Sequence, residues 1–157
     1  TFRSSRPACG GRLTSPVRYF MAHLARSVAS LRIAGDDLVP EEVSLLLGAQ
    51  PTHAQRKGQE LQSKNGVRIA TFGHWRLHAK ETEPENLDAQ VAEILGQLTS
   101  SADVWQKLTA RYSVDLFCGW FMEGTNEGVS ISPLTLQALG ERGIKLDLDI
   151  YAPSPNA

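Results

Sequence analysis

Apolar and polar residues alternate through Ala29-Ser30-Leu31-Arg32-Ile33. The alternation predicts a strand over residues 28–34, with Ala29, Leu31 and Ile33 on one face and Ser30 and Arg32 on the other. The period then lengthens. Pro40 opens a helix with Glu41 and Glu42 at its positive end, Val43, Leu46 and Leu47 as its buried face, and Gly48 and Pro51 as its stop. Residues 52–57 fit a short edge strand, and a polar loop runs from there to the turn pair Asn65-Gly66. A longer strand is predicted from Arg68 to Ala79, where Gly73 marks a bulge or a close backbone approach.

Asn86 is placed to cap a helix whose stripe is Leu87, Val91, Ile94, Leu95 and Leu98. Ser100 or Ser101 reopens a second helical segment with Val104, Trp105, Leu108 and Tyr112 inward. Val114 to Phe121 is apolar on both faces, which predicts a central strand. Ser132 and Pro133 then start a last helix that Gly143 ends. The cleanest alternation comes last, with Ile144, Leu146, Leu148 and Ile150 facing in and Lys145, Asp147, Asp149 and Tyr151 facing out. The predicted fold class is α+β: a ferredoxin-like split βαβ sheet with helices on one face, extended by an additional helix and strand. Residues 27–151 form the single domain, residues 1–26 a basic arm, and residues 152–157 a loose tail.

Composition changes this picture only at its edges. The 41% hydrophobic and 21% charged fractions belong to a globular protein, and no apolar run reaches the roughly 18 residues of a membrane span. Residues 1–35 carry six arginines and no acid, so the remainder holds ten basic and seventeen acidic groups, a balance of −7. A body that acidic is a poor general binder of nucleic acid. The arm itself has three readings: a targeting peptide, a nucleic-acid arm, or an over-extended start with Met21 as initiator. The last is favoured, because residues 1–20 show no steady apolar period. The cysteines, Cys9 and Cys118, are far apart, and Cys118 sits in an apolar run as a buried free thiol.

Candidate chemistry is sparse. Arg56-Lys57-Gly58 is suited to a phosphate or carboxylate, and Trp75 and Arg76 on a neighbouring strand would add a stacking face and a third cation. The plainer alternative makes Arg56 and Lys57 a solvated edge and Trp75 core. Asp36-Asp37, near Asp115 or Asp149, is a set of oxygens for a divalent cation, although Gly-Asp-Asp before Pro is more often turn chemistry. His74 and His78, four apart on a strand, would stand roughly 13 Å apart along it and make a poor metal pair. The loop from Glu123 to Gly128, with Asn126 and Glu127, has the polarity of a binding loop. No phosphate loop, nucleophile elbow, H-E-x-x-H or CxxC motif is present, so no metal or cofactor is expected.

Several phrases carry a resemblance as a set: Leu31-Arg32-Ile33-Ala34-Gly35-Asp36-Asp37-Leu38, Pro51-Thr52 leading to Arg56-Lys57-Gly58, and Gly73-His74-Trp75-Arg76-Leu77. Val114-Asp115-Leu116-Phe117-Cys118-Gly119 and Leu146-Asp147-Leu148-Asp149-Ile150-Tyr151 complete it. Over about residues 27–151 the chain resembles a bacterial domain of unknown function, number forty-two seventy-nine. The resemblance implies a small, stand-alone, cytoplasmic bacterial domain and brings no activity, cofactor or catalytic residue. The function expected is therefore a non-enzymatic binding or protein-interaction module, with a contact surface drawn from Arg56, Lys57, Trp75, Arg76, Trp120, Asn126 and Glu127. The alternative is an enzyme or sensor for a small anionic metabolite that uses Arg56, Lys57 and Trp75. The partner expected is a protein or small anion, without membrane contact.

Overall fold

The first strand among the described residues lies in the middle of the sheet. The computed structural model describes residues 24–64 and 66–153. The elements in chain order are β1 (Arg26–Gly35), α1 (Pro40–Leu47), β2 (His53–Gln55), β3 (Glu60–Ser63), β4 (Gly66–Ile69) and β5 (Gly73–His78). After them come α2 (Leu87–Leu95), α3 (Ala102–Arg111), β6 (Ser113–Phe121), α4 (Pro133–Glu141) and β7 (Lys145–Tyr151). Five strands form one sheet in the order β2-β5-β1-β6-β7, while β3 and β4 make a separate hairpin. All neighbours in the large sheet run antiparallel except β6 and β7, which are parallel across the α4 connection. The described residues make a mixed α+β fold with four helices.

Alternation along β1 divides the sheet into two faces. Ala29, Leu31 and Ile33 share one face with Trp75 and Leu77 of β5 and Val114, Leu116 and Cys118 of β6, and all of these are buried. The helices close over that side. The indole Nε1 of Trp75 donates to Ser44 Oγ of α1 at 2.9 Å. Ser27 Oγ donates to Gln90 Oε1 of α2 at 2.8 Å, and Gln90 Nε2 donates back to the Ser27 and Lys80 carbonyls. Trp105 and Leu108 of α3 and Leu139 of α4 complete the same core. Burying such side chains contributes about 1.5–3 kcal/mol each, which makes this layer the main stabilising term.

Local signals hold where they are strongest. Asn86 Oδ1 accepts the Ala89 N–H, and Ser132 Oγ accepts the Thr135 N–H. Pro40 and Pro133 open their helices, and Gly48 ends α1 in the left-handed region at φ 76°.

Four expectations are corrected. The strand predicted from Arg68 to Ala79 is two strands, β4 and β5, because Ala70 turns inward. Its N–H donates to the Gln59 carbonyl, and its carbonyl takes the Gly58 N–H. The polar stretch before Asn65 contains β3, whose single apolar residue, Leu61, gave no alternation. In α1 the buried face is Val43, Ser44 and Leu47, and Leu46 is 41% exposed, because the bond to Trp75 fixes Ser44 inward. In β7, Leu148 and Ile150 are 42% and 57% exposed, because at the sheet edge the helix layer runs out. Asn65, Cys9, Met21, the arm through residue 23 and the tail from residue 154 lie outside the described residues.

Candidate functional site

No helix among the described residues covers the second face of the sheet. Across the rung that contains Arg32, the open face reads His53 (β2), Arg76 (β5), Arg32 (β1), Asp115 (β6) and Lys145 (β7). Other rungs of the same face add His74, His78, Phe117 and Asp147. Charge on this face is segregated. Its acids lie on β6 and β7, and its histidines on β2 and β5.

The acidic half is internally neutralised. Arg32 Nε meets Asp115 Oδ1 at 2.6 Å, and its NH2 group meets Asp147 Oδ2 at 3.3 Å. The same guanidinium lies 4.5 Å from the centroid of the Phe117 ring. Lys145 Nζ reaches Asp147 at 3.0 Å, and Asp149 accepts the Tyr151 hydroxyl at 2.6 Å. The aromatic surfaces are also engaged, with Phe121 stacked on Tyr151 at 4.7 Å and the Arg26 guanidinium 3.7 Å above Phe121. A flat base would therefore have to displace the protein's own groups to stack here.

The cationic half is not neutralised. Arg76 sits between His74 and His78 on its own strand and opposite His53 and Arg32 on the flanking ones. Its guanidinium forms no ion pair among the described residues, and its buried Nε has no hydrogen-bond partner there. His74 Nδ1 is likewise buried without a partner. The rings of His53 and His78 meet edge to face with centroids 5.4 Å apart, and Phe72 tilts against His74 at 6.0 Å. Burial pushes the His74 imidazole below its ordinary value of 6.5, and the charges of Arg76, His53 and Arg68 push the same way. His78 is lowered by burial and then by His53 and Arg76. No carboxylate among the described residues contributes to either shift. Leaving polar nitrogens buried and unpaired is costly.

The residues singled out from sequence do not form one site. Arg56 and Lys57 line an open groove of about 520 Å³ with Pro40, Glu41 and Gly58. Both are already paired there, Arg56 NH2 with Glu41 Oε2 at 2.7 Å and Lys57 Nζ with Asp36 Oδ2 at 3.3 Å. Trp75 is 0% exposed on the helix-covered face, so its ring is core and no ligand can stack on it. Trp120 is buried on that same face. Arg76 alone of the set reaches the open face. Asn126 is exposed, and Glu127 Oε1 folds back to accept the Gly124 and Glu123 N–H groups at 2.7 and 3.2 Å. Their loop leaves β6 after Phe121, whereas β2 ends level with Ser113, roughly 26 Å away by strand rise.

Asp36 and Asp37 are ion-paired as well. Arg111 holds Asp37 through two hydrogen bonds at 2.9 and 2.7 Å, and keeps its carboxyl below the ordinary value. No group of three or more potential metal ligands occurs among the described residues. Cys118 is buried, and desolvation raises its thiol to about 12. Sequence reasoning missed Arg32, His53 and His78 as companions of Arg76. Their shared parity within strands was visible, but the register that aligns the strands was not.

No helix among the described residues is long and apolar enough to cross a membrane. A family model described as Domain of unknown function (DUF4279) matches residues 24–153. No curated protein and no solved structure matches the chain.

Proposed function

We propose that this chain, which belongs to the DUF4279 family of domains of unknown function, is a non-enzymatic binding module whose contact surface is the uncovered face of its sheet. The observation that carries this reading is the guanidinium of Arg76, unpaired among the described residues, on a face that no described helix covers. A module of this kind needs a rigid platform and exposed recognition groups. A five-stranded sheet clamped by helices on its other side supplies the platform, and side chains on strands are held more firmly than side chains on loops. The strand order supports the finer description as a ferredoxin-like split βαβ unit. In that description β1, α1, β2, β5, α2 with α3, and β6 form the unit, and α4 and β7 extend it.

The test is an amide NMR titration with a panel of anionic metabolites and acidic peptides. Shifts are expected to cluster on His53, His74, Arg76, His78 and Phe117. Shifts confined to the helix layer would sink the reading.

A second reading has one specific observation in its favour: Arg56 and Lys57 share a groove. It assigns a small anionic metabolite to that groove, with Glu41 and Asp36 displaced on binding and with Trp75 taking no part. In the same titration it predicts shifts at Arg56, Lys57 and Gly58, with the open face silent.

A further inference from the structure

We infer that the cluster of His53, His74, Arg76 and His78 is a binding site for a phosphate-type oxyanion, the phosphate group of a small monoester, and that the anion enters together with protons. The inference rests on the uncovered face being the contact surface, and it names the ligand chemistry. Arg76 supplies a planar fork of donors fitted to two oxygens of one anion. The three imidazoles stand around it on two strands, two residues to either side on β5 and directly opposite on β2. A tetrahedral dianion presents more charge and more acceptor oxygens than a carboxylate; seated on Arg76 it faces the His53–His78 pair, whose ring centroids are 5.4 Å apart, while His74, about 13 Å along the strand from His78, acts on it through charge.

The remaining surroundings agree. Arg68 of β4 adds positive potential at His74. Arg32 of β1 lies on the other side, but Asp115 and Asp147 already bind it, so it closes the site rather than entering it. Asp115 and Asp147 hold Arg32 and Lys145, so the β6–β7 half of the face offers a long polyanion no free cation. That favours a compact ligand over a nucleic-acid strand.

Proton coupling follows from the histidines. In the unliganded site His74 and His78 resist charging, through burial and neighbouring cations. An anion reverses that balance and favours their charged, doubly donating form. By linkage, log K rises by up to one unit for each unit fall in pH per proton taken up.

The experiment titrates the protein with sulfate at constant ionic strength at pH 5.5 and pH 8.0, following imidazole and guanidinium NMR signals. Sulfate is used because its own charge does not change over that range. Inorganic phosphate and acetate are compared at pH 8.0. Saturable shifts at His53, His74, His78 and Arg76 are expected, with sulfate binding about tenfold or more tighter at the lower pH. Phosphate should bind and acetate should bind distinctly more weakly. Arg76→Gln should weaken sulfate by about tenfold or more, Arg76→Lys should be intermediate, and His74→Gln with His78→Gln should flatten the pH dependence. Should Arg76→Gln fail to fold, the lysine and histidine variants decide.

Three outcomes overturn the inference: no saturable response, binding unaltered by the folded variants, or acetate equal to phosphate. If these anions fail while a larger ligand still maps to the open face, only the anion assignment falls. Saturation at Arg56, Lys57 and Gly58 instead would remove the open-face reading as well.

Discussion

Trp75 shows how a residue's chemistry and its position give different answers. As a tryptophan one residue from Arg76, it suggested a stacking platform. As the middle of Gly73-His74-Trp75-Arg76-Leu77 it shares parity with Leu77 and faces the core, and parity was the better guide. Its role can be measured. Trp75→Phe keeps most of the apolar volume but leaves the Ser44 hydroxyl without its indole donor, and is expected to cost about 1–3 kcal/mol in a urea melt. If the melt is unchanged and ligand affinity falls instead, the indole is not a core strut. Cys118 gives a second check. A buried thiol whose pKa is raised to about 12 should resist alkylation at pH 8 in the native protein and react on unfolding, as read by mass spectrometry of its peptide. The caps Asn86 and Ser132 were legible because their hydrogen bonds span three residues. The orphaned nitrogens of Arg76 and His74 were not, because nothing local in the chain records what fails to lie beside them.

Elements were readable in proportion to how one-sided their surroundings are. β1 and β5 have one covered and one open face, so their alternation is true to the structure. β7 alternates most cleanly of all and is the least buried strand of the large sheet, because pattern encodes which face points inward but not how much lies above it. β3 is the converse case, since a hairpin exposed on both sides has no reason to alternate. Glycines separate the two kinds of constraint. Gly73 was expected to mark a bulge or a close approach, and it is the latter. A Cβ there would lie 2.7 Å from the Leu38 carbonyl oxygen, so Gly73→Ala should destabilise by about 1–3 kcal/mol. Gly140, on the exposed side of α4 with open space around it, should behave oppositely. Gly140→Ala is expected to stabilise by about 0.5–1 kcal/mol in the same melts.

At the scale of the whole molecule, acid acts on stability in two windows. In the unfolded chain a histidine takes up its proton near pH 6.5, whereas folded His74 and His78 resist it. The unfolded state therefore binds more protons, and stability falls as pH drops below about 6.5. The carboxyls of Asp37 and Glu41 are lowered by Arg111 and Arg56, so their contribution is present above the ordinary carboxylate range and is lost only near pH 4 and below. Thermal melts from pH 8 to pH 3 should thus show two separate declines. Replacing both histidines with glutamine should remove the upper one alone, and a single decline near pH 4 in the native protein would contradict the assignment. This behaviour was hidden in the sequence. His53 is distant from Arg76 along the chain, and only the pairing of β2 with β5 brings it beside the arginine that His74 and His78 already flank.

The central place of β1 also sets a timetable for synthesis. Its partner on one side, β6, lies far downstream, with Asp115 following Arg32 by 83 residues. At about 5–20 residues per second, the ribosome needs roughly 4–17 seconds to supply that partner. During that interval Ala29, Leu31 and Ile33 have emerged while the strand that will flank them has not. The nascent chain is then most exposed to wrong partners, and a ribosome-bound chaperone would have the most to shield.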